Sequence, residues 1–186
     1  MPKISKRFVI AAPAPAVWKV IGPGFARIGE WATAIRTSTG QPDDPGRPSR
    51  STGSGLAAAP VTGRVCTTGL AIVPQVTETL LAYDDDGRSL TYEASGLPSF
   101  VTVARNTWTV DQLDGDTCVL TLDAQFDTRG VLGAVARWVL LALLGRTSRR
   151  LGEDLRHVVE HGGPSPAKKR QLQRTQHPRR PAWRAR

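Results

Sequence analysis

The segment TCVLTLDAQF, residues 117–126, alternates strictly: Cys118, Leu120, Leu122, Ala124 and Phe126 fall on one side of an extended chain, and Val119, Thr121, Asp123 and Gln125 on the other. A sheet built from such strands has one apolar face and must cover it. The cover stands next in the sequence. GVLGAVARWVLLALLG, residues 130–145, is the longest apolar run in the chain. Beyond it Leu151, Leu155, Val158 and Val159 recur at helical spacing among Arg149, Arg150, Glu153, Asp154 and Arg156, until Gly162, Gly163 and Pro164 stop the pattern. One long helix, starting near Val131, is therefore expected to lie on the sheet. It is too short and too charged to cross a bilayer: 14 residues separate Gly130 from Gly145 and Arg137 interrupts them, whereas a span needs ~20 consecutive apolar residues. An arginine at mid-bilayer would add about 2.5–3.5 kcal/mol.

Upstream, VTGRVCTTG, PQVTETLLAY, RSLTYEA and FVTVARNTWTV are rich in strand-forming residues. DDDG at 84–87 and LDGD at 113–116 are turn signals, so successive hairpins predict an antiparallel meander. KISKRFVIAA, residues 3–12, reads as a first strand that Pro13 and Pro15 stop, because proline cannot donate to the ladder. Pro15 opens a short helix through Val17, Trp18, Val20 and Ile21, which Gly22-Pro23 ends; a second short helix runs through Phe25, Ile28 and Trp31. Residues 40–60 are so rich in Gly, Pro, Ser and charge that a flexible loop is expected.

The net charge of +9 sits at one end. Residues 163–186 hold eight of the 25 Lys and Arg and none of the 16 acids, which leaves 17 bases against 16 acids in residues 1–162. A charge-driven partner can therefore engage only the tail. That tail has one Leu, one Trp and no periodicity, so it is expected to be disordered: a solvated extension, or a weak contact for nucleic acid or an anionic membrane. Cys66 and Cys118 lie in β-like stretches without a CxxC or a Cys/His cluster and are expected as buried, reduced thiols of a cytoplasmic protein. The N-terminus imitates a secretory signal, but its apolar core, Phe8 to Ala12, falls short of the ~7–15 residues such a signal needs.

The order strand, short helix pair, antiparallel strands, long C-terminal helix is that of the helix-grip fold. APAPAVWKVIG at 12–22, Trp31 of ARIGEW, the hairpin ETLLAYDDDGRSLTYEA at 78–94, GLP at 96–98, the pair NTWTV and CVLTLDAQF, and LRHVVEHG resemble the SRPBCC superfamily. The resemblance is to its START-like, birch-pollen-allergen-like and, above all, polyketide cyclase/dehydrase-like bacterial members. It implies an α+β domain over residues 1–162: a curved antiparallel β-sheet wrapped around a long C-terminal α-helix, two short helices after the first strand, and a mainly hydrophobic cavity between sheet and helix. Functions in that superfamily range from lipid carriage to ring cyclisation, and a shared fold does not transfer chemistry. The chain departs from the pattern at GPGFARIG and at Trp31-Ala32-Thr33, where such proteins often carry an acidic-aromatic-glycine segment and a Trp-His-Pro triplet.

Two functions follow. One is a carrier or sensor, monomer or homodimer, that binds a hydrophobic small molecule, lipid or polyketide-like. The other is a polyketide cyclase or dehydratase. No cofactor and no metal is expected, because no phosphate loop, dinucleotide fingerprint or metal-ligand spacing occurs. Asp84, Asp85 and Asp86 before Gly87 read as a solvated turn, and His157, His161 and His177 lie on the terminal helix or tail, without a nucleophile to serve. The residues expected to line a pocket are Trp31, Tyr83, Tyr92, Trp108, Leu122, Phe126, Trp138 and Ala142, with Asn106 as a further polar group. Ordinary sheet packing accounts for Tyr92 and Trp108 equally well. The catalytic candidates are Glu78, Arg105 and Tyr92, with Glu78 and Arg105 as a buried pair facing the cavity; an exposed strand charge is the alternative for Glu78.

Overall fold

A computed structural model describes residues 3–42 and 55–176, and the side chains of 131, 132, 134–141 and 176 lie outside what it describes. β1 (Lys3–Ile10) leads to α1 (Ala14–Ile21), a 3-10 turn at Phe25–Arg27 and α2 (Ile28–Trp31). Six strands follow: β2 (Ile35–Gln41), β3 (Gly63–Leu70), β4 (Val73–Asp84), β5 (Ser89–Ser95), β6 (Val101–Asp114) and β7 (Thr117–Thr128). The chain continues through α3 (Gly130–His161) and α4 (Pro166–Gln176). Neighbouring strands are antiparallel in the order β1-β7-β6-β5-β4-β3-β2, so the sheet is curved and unclosed, with β1 and β2 at its edges. This is the helix-grip α+β architecture that the sequence led us to expect.

The alternation in β7 sets the inner face. Cys118, Leu120, Leu122, Ala124 and Phe126 are all buried, and on β6 Trp108 and Val110 stand opposite Leu122 and Leu120. A bulge between Leu80 and Ala82 shifts the register of β4, which turns both Leu80 and Tyr83 inward although they are three residues apart. Trp18 of α1, Phe25, and Ile28 and Trp31 of α2 close one end of the same core. The second half of α3 grips the sheet: Leu155 is fully buried, with Leu151, Val158 and Val159 packed around the core. Gly152 permits the approach, since a Cβ at that position would overlap the ring of Phe8 on β1. The helix ends at Gly162, which takes the left-handed conformation at φ 68. Earlier on α3, Ala142 and Leu143 are exposed. Trp138 and its neighbours Val135 and Val139 are among the side chains not described. Among the described residues no helix is long and apolar enough to cross a membrane.

Three segments differ from the reading of the sequence. The strand β2, IRTSTGQ, was not expected, because it has no apolar alternation; it forms by pairing its backbone with β3, Ser38 opposite Cys66 and Gly40 opposite Arg64. It also takes Gly40 and Gln41 out of the proposed 40–60 loop, of which Leu56–Ala58 forms a 3-10 turn with Leu56 buried. Residues 43–54 lie outside the described residues. The tail is corrected most: Pro166–Gln176 is a helix, not a disordered segment. Ser165 caps it, accepting from Lys168 N at 3.3 Å while donating to Asp154 Oδ1, and Pro166 suits the first helical turn. Lys168 is then fully buried and donates from Nζ to Ile35 O at 2.5 Å and Gln171 Oε1 at 2.8 Å, while Gln171 Nε2 donates to Thr33 O. Polar contacts thus dock a helix that composition alone assigns to solvent. Residues 177–186 lie outside the described residues.

Candidate functional site

Alternation in β3 places Arg64 and Cys66 on the inner face, and the β3–β4 register sets Glu78 directly opposite Arg64. The Arg64 guanidinium is 1% exposed. Its Nε donates to Glu78 Oε2 in an ion pair, and its Nη1 donates to the carbonyl of Phe25 at 2.6 Å. It lies over the Phe25 ring at 3.9 Å, with the rings of Tyr92 and Trp108 at 5.4 and 5.9 Å. Tyr92 in turn meets Trp108 edge-on and Phe25 at a tilt. The cluster is a single cation held in an aromatic shell against one carboxylate, with the Cys66 thiol 3.8 Å from the same oxygen.

Removing a guanidinium and a carboxylate from water is recovered only when the pair is close and its remaining hydrogens find acceptors. Here that balance is incomplete: among the described residues no acceptor stands in hydrogen-bond geometry to the buried Arg64 Nη2, and the same holds for the indole Nε1 of Trp31. Buried donors of this kind are rare in folded proteins and mark places where a ligand or water supplies the acceptor. Burial pulls the Arg64 pKa down, but the Glu78 carboxylate, Tyr92 and Cys66 more than offset it, so the net direction is upward and the cation is fixed. Burial, then Glu78, pushes the Cys66 thiol up to about 12, which leaves a neutral thiol and a poor nucleophile. The Tyr92 phenol is raised well above its ordinary value, first by burial and next by Glu78, so it remains a hydrogen-bonding hydroxyl.

The sequence-based candidates separate on this geometry. Glu78, Tyr92 and Trp108 come together around Arg64, while Leu122 lies beside Trp108 across the β6–β7 ladder and Phe126 further along β7. Trp31 is buried on α2. Asn106 stands opposite Tyr92 on the inner face. The expected Glu78–Arg105 pair does not form: Arg105 sits on the outer face, where its Nη2 meets Glu93 Oε2 at 3.1 Å and both side chains are 45% exposed. The register explains the correction, because Arg105 pairs across β5–β6 with Glu93, one residue out of phase with the inward Tyr92–Asn106 pair. Tyr83 is a core residue: its hydroxyl donates to Asp85 Oδ1 at 3.1 Å, and Trp18 Nε1 donates to the same oxygen at 2.7 Å. Asp85 is therefore a structural acceptor as well as part of a turn. Ala142 is at the surface, and the Trp138 side chain is not described. His157 and His161 stack on each other near the end of α3.

The residue that sequence reading missed is Arg64. A signal was present: in GRVCTTG a thiol expected to be buried stands two positions after the arginine, so period two puts the charge on the apolar face.

A curved antiparallel sheet closed by a long C-terminal helix, with a polar cluster on its inner face, defines a START-like helix-grip protein. Residues 1–163 match the family described as "Polyketide cyclase / dehydrase and lipid transport", and the chain belongs to that family. Among solved structures it is similar to the protein XoxI from Bacillus cereus, with 18% identity and a TM-score of 0.64 over 87% of this chain and 97% of that one. It is similar to the Zhui aromatase/cyclase from Streptomyces sp. R1128, with 16% identity and a TM-score of 0.61 over 88% and 99%. A START superfamily protein from Mycobacterium smegmatis shares 13% identity at a TM-score of 0.62 over 85% and 97%. At these identities the likeness is one of fold. No curated protein matches the sequence.

Proposed function

We propose that the protein binds a hydrophobic small molecule, lipid or polyketide-like, between the inner sheet face and α3, as a carrier or sensor. The observation that carries this reading is the buried Nη2 of Arg64, which lacks a well-placed acceptor among the described residues, within an aromatic shell. Most of such a ligand is held by apolar contact, and one oxygen orients it. Because Glu78 already balances the charge of Arg64, the fitting acceptor is a neutral carbonyl or hydroxyl oxygen and not a second full anion. Trp31, Trp108, Leu122 and Phe126 are the proposed apolar contacts, with Tyr92 as a second hydrogen-bonding group. Both thiols are free and buried, which fits a reducing compartment, and a cytoplasmic location is part of the proposal.

Native mass spectrometry of the purified chain, followed by titration with a long-chain methyl ketone and the matching alkane, tests it. Binding of the ketone is expected to exceed that of the alkane, and Arg64→Met with Glu78→Leu, which removes the pair without stranding a charge, is expected to abolish the difference. Equal affinity for ketone and alkane in the unaltered chain would refute the reading.

The Glu78 carboxylate favours a second reading, a cyclase or dehydratase. Arg64 would polarise a ketone, Glu78 would accept the proton from the adjacent carbon, the resulting enolate carbon would attack a second carbonyl of the same chain and open its C=O bond to an alkoxide, and Glu78 would return the proton to that oxygen. Glu78→Gln separates the two readings: turnover of a poly-β-ketone is lost if Glu78 is the base, and ketone binding persists in either case.

A further inference from the structure

A concave feature lies outside the helix-grip interior, between α4 and the β2–β3 end of the sheet. It is a groove of about 760 Å³ in which Arg36, Arg170 and Arg174 stand among the hydroxyls of Thr37, Thr67 and Thr175. Arg170 and Arg174 are one turn apart on α4 and share a face. Arg36 sits in the bulge between Ile35 and Thr37, with its Nε near Gly69 of β3. Thr37 and Thr67 are directly paired across β2 and β3. Among the described residues none of the three guanidiniums has a carboxylate partner, and α4 contains no acid.

Three like charges around one depression repel each other, and like charges one turn apart weaken a helix. The protein nevertheless holds them in place: Lys168 and Gln171 tie the inner side of α4 to Ile35 and Thr33, so Arg170 and Arg174 project from a fixed backbone. Local choices that oppose stability are where function is to be sought. The forked donors of arginine match phosphoryl oxygens in pairs, and threonine hydroxyls complete such a shell. The surroundings narrow the ligand. Among the described residues no aromatic side chain lines the groove, so stacking of nucleic-acid bases has no platform there. The arginines are exposed around a groove bounded by helix and strand, and a concave site suits a small anion better than a flat bilayer.

We propose that this groove binds a free small molecule bearing a pyrophosphate or two phosphoryl groups, with Arg36, Arg170 and Arg174 as its ligands. The proposal does not depend on the interior site. Its test is calorimetric titration of the full chain with inorganic pyrophosphate. One saturable site is expected, and replacing all three arginines by Gln should weaken it by about tenfold or more, with Arg170→Gln alone giving part of that loss. Lys169→Gln, which removes an exposed cation of α4 outside the groove lining, should change affinity by less than about twofold. Unchanged thermal unfolding of the variants shows that they fold. The proposal is overturned if pyrophosphate does not saturate, or if Lys169→Gln weakens binding as much as Arg170→Gln. It is also overturned if phosphatidic acid/phosphatidylcholine vesicles or a 20-nucleotide single strand bind through these arginines while pyrophosphate does not.

Discussion

Arg64 and Arg170 carry the same charge in opposite surroundings. Arg64 is fully buried, held by a carboxylate, a carbonyl and three aromatic rings, and its energy depends on partners within reach of a hydrogen bond. Arg170 is exposed with two other guanidiniums and, among the described residues, no counter-ion, and its energy depends on what the solvent contains. The interior arginine is thus part of the fold and selects a neutral oxygen; the rim arginines are nearly dispensable to the fold and select an anion. A buried charge reports on protein structure, an exposed cluster on its environment.

The largest effect should come from breaking the interior pair on one side. Glu78→Ala strands a buried guanidinium and is expected to lower the unfolding free energy by about 3–5 kcal/mol. Arg170→Gln should stay within about 0.5 kcal/mol. Urea unfolding monitored by tryptophan fluorescence compares the two, and similar midpoints would erase the distinction. Replacing both members, Arg64→Met with Glu78→Leu, should recover most of the loss, because well-packed apolar residues substitute for a buried pair at little net cost.

Next in size is Asp154→Ala. Asp154 Oδ2 accepts from Thr33 N and Thr33 Oγ1, both at 2.7 Å, and Oδ1 accepts from Ser165. Losing them should destabilise the chain by about 1–3 kcal/mol and loosen α4. Limited proteolysis should then cut near 163–165, and pyrophosphate binding should fall while interior ketone binding is retained. Loss of both together would mean that the two regions are coupled.

A smaller contrast is ionic. Raising salt from 0.1 to 1 M shortens the screening length from about 10 to about 3 Å, so pyrophosphate affinity should drop steeply and interior affinity should not. The pH response separates the regions again. Burial lowers the pKa of Lys168 from 10.5 to about 8, against the pull of Asp154. The unfolded chain therefore binds more protons than the folded one between about pH 8 and 10.5, and this residue makes stability rise with pH across that window. Cys66, raised from 9.0 to about 12, acts in the opposite sense above pH 9. The stability of the unaltered chain relative to Lys168→Met isolates the first effect: it should increase from pH 8 to 10.5, and a flat difference would contradict it. The smallest expected change is Arg105→Gln, which removes an outward ion pair and should leave ketone binding and stability unaltered within about 0.5 kcal/mol.

Much of the fold was legible because its signals are local. Period two in 117–126, Asp-Gly at the β4–β5 turn and helical spacing up to Gly162 each arise within a few residues. What could not be read depends on residues distant in sequence. β2 owes its existence to the pairing edge of β3, and α4 to a lysine 133 positions after the carbonyl it meets. The site divides in the same way. Tyr92, Trp108 and Glu78 were identifiable as strand residues of suitable chemistry, but the inward direction of Glu78 and the outward direction of Arg105 are properties of register. Tyr83 reads as a pocket residue from its aromatic and polar character on a strand, and Asp85 as part of a solvated turn; that the two meet is visible only in three dimensions.

The polar docking of α4 has a bearing on solubility. An unclosed sheet presents unpaired main-chain groups along its outermost strands, and such borders invite strand addition from another molecule. At the β2 border, Lys168 occupies a main-chain acceptor at the start of the strand, and α4 lies against the same end. The helix α4 thereby serves as an edge guard, and a chain cut short before Ser165 should gain a tendency to assemble side by side through β2.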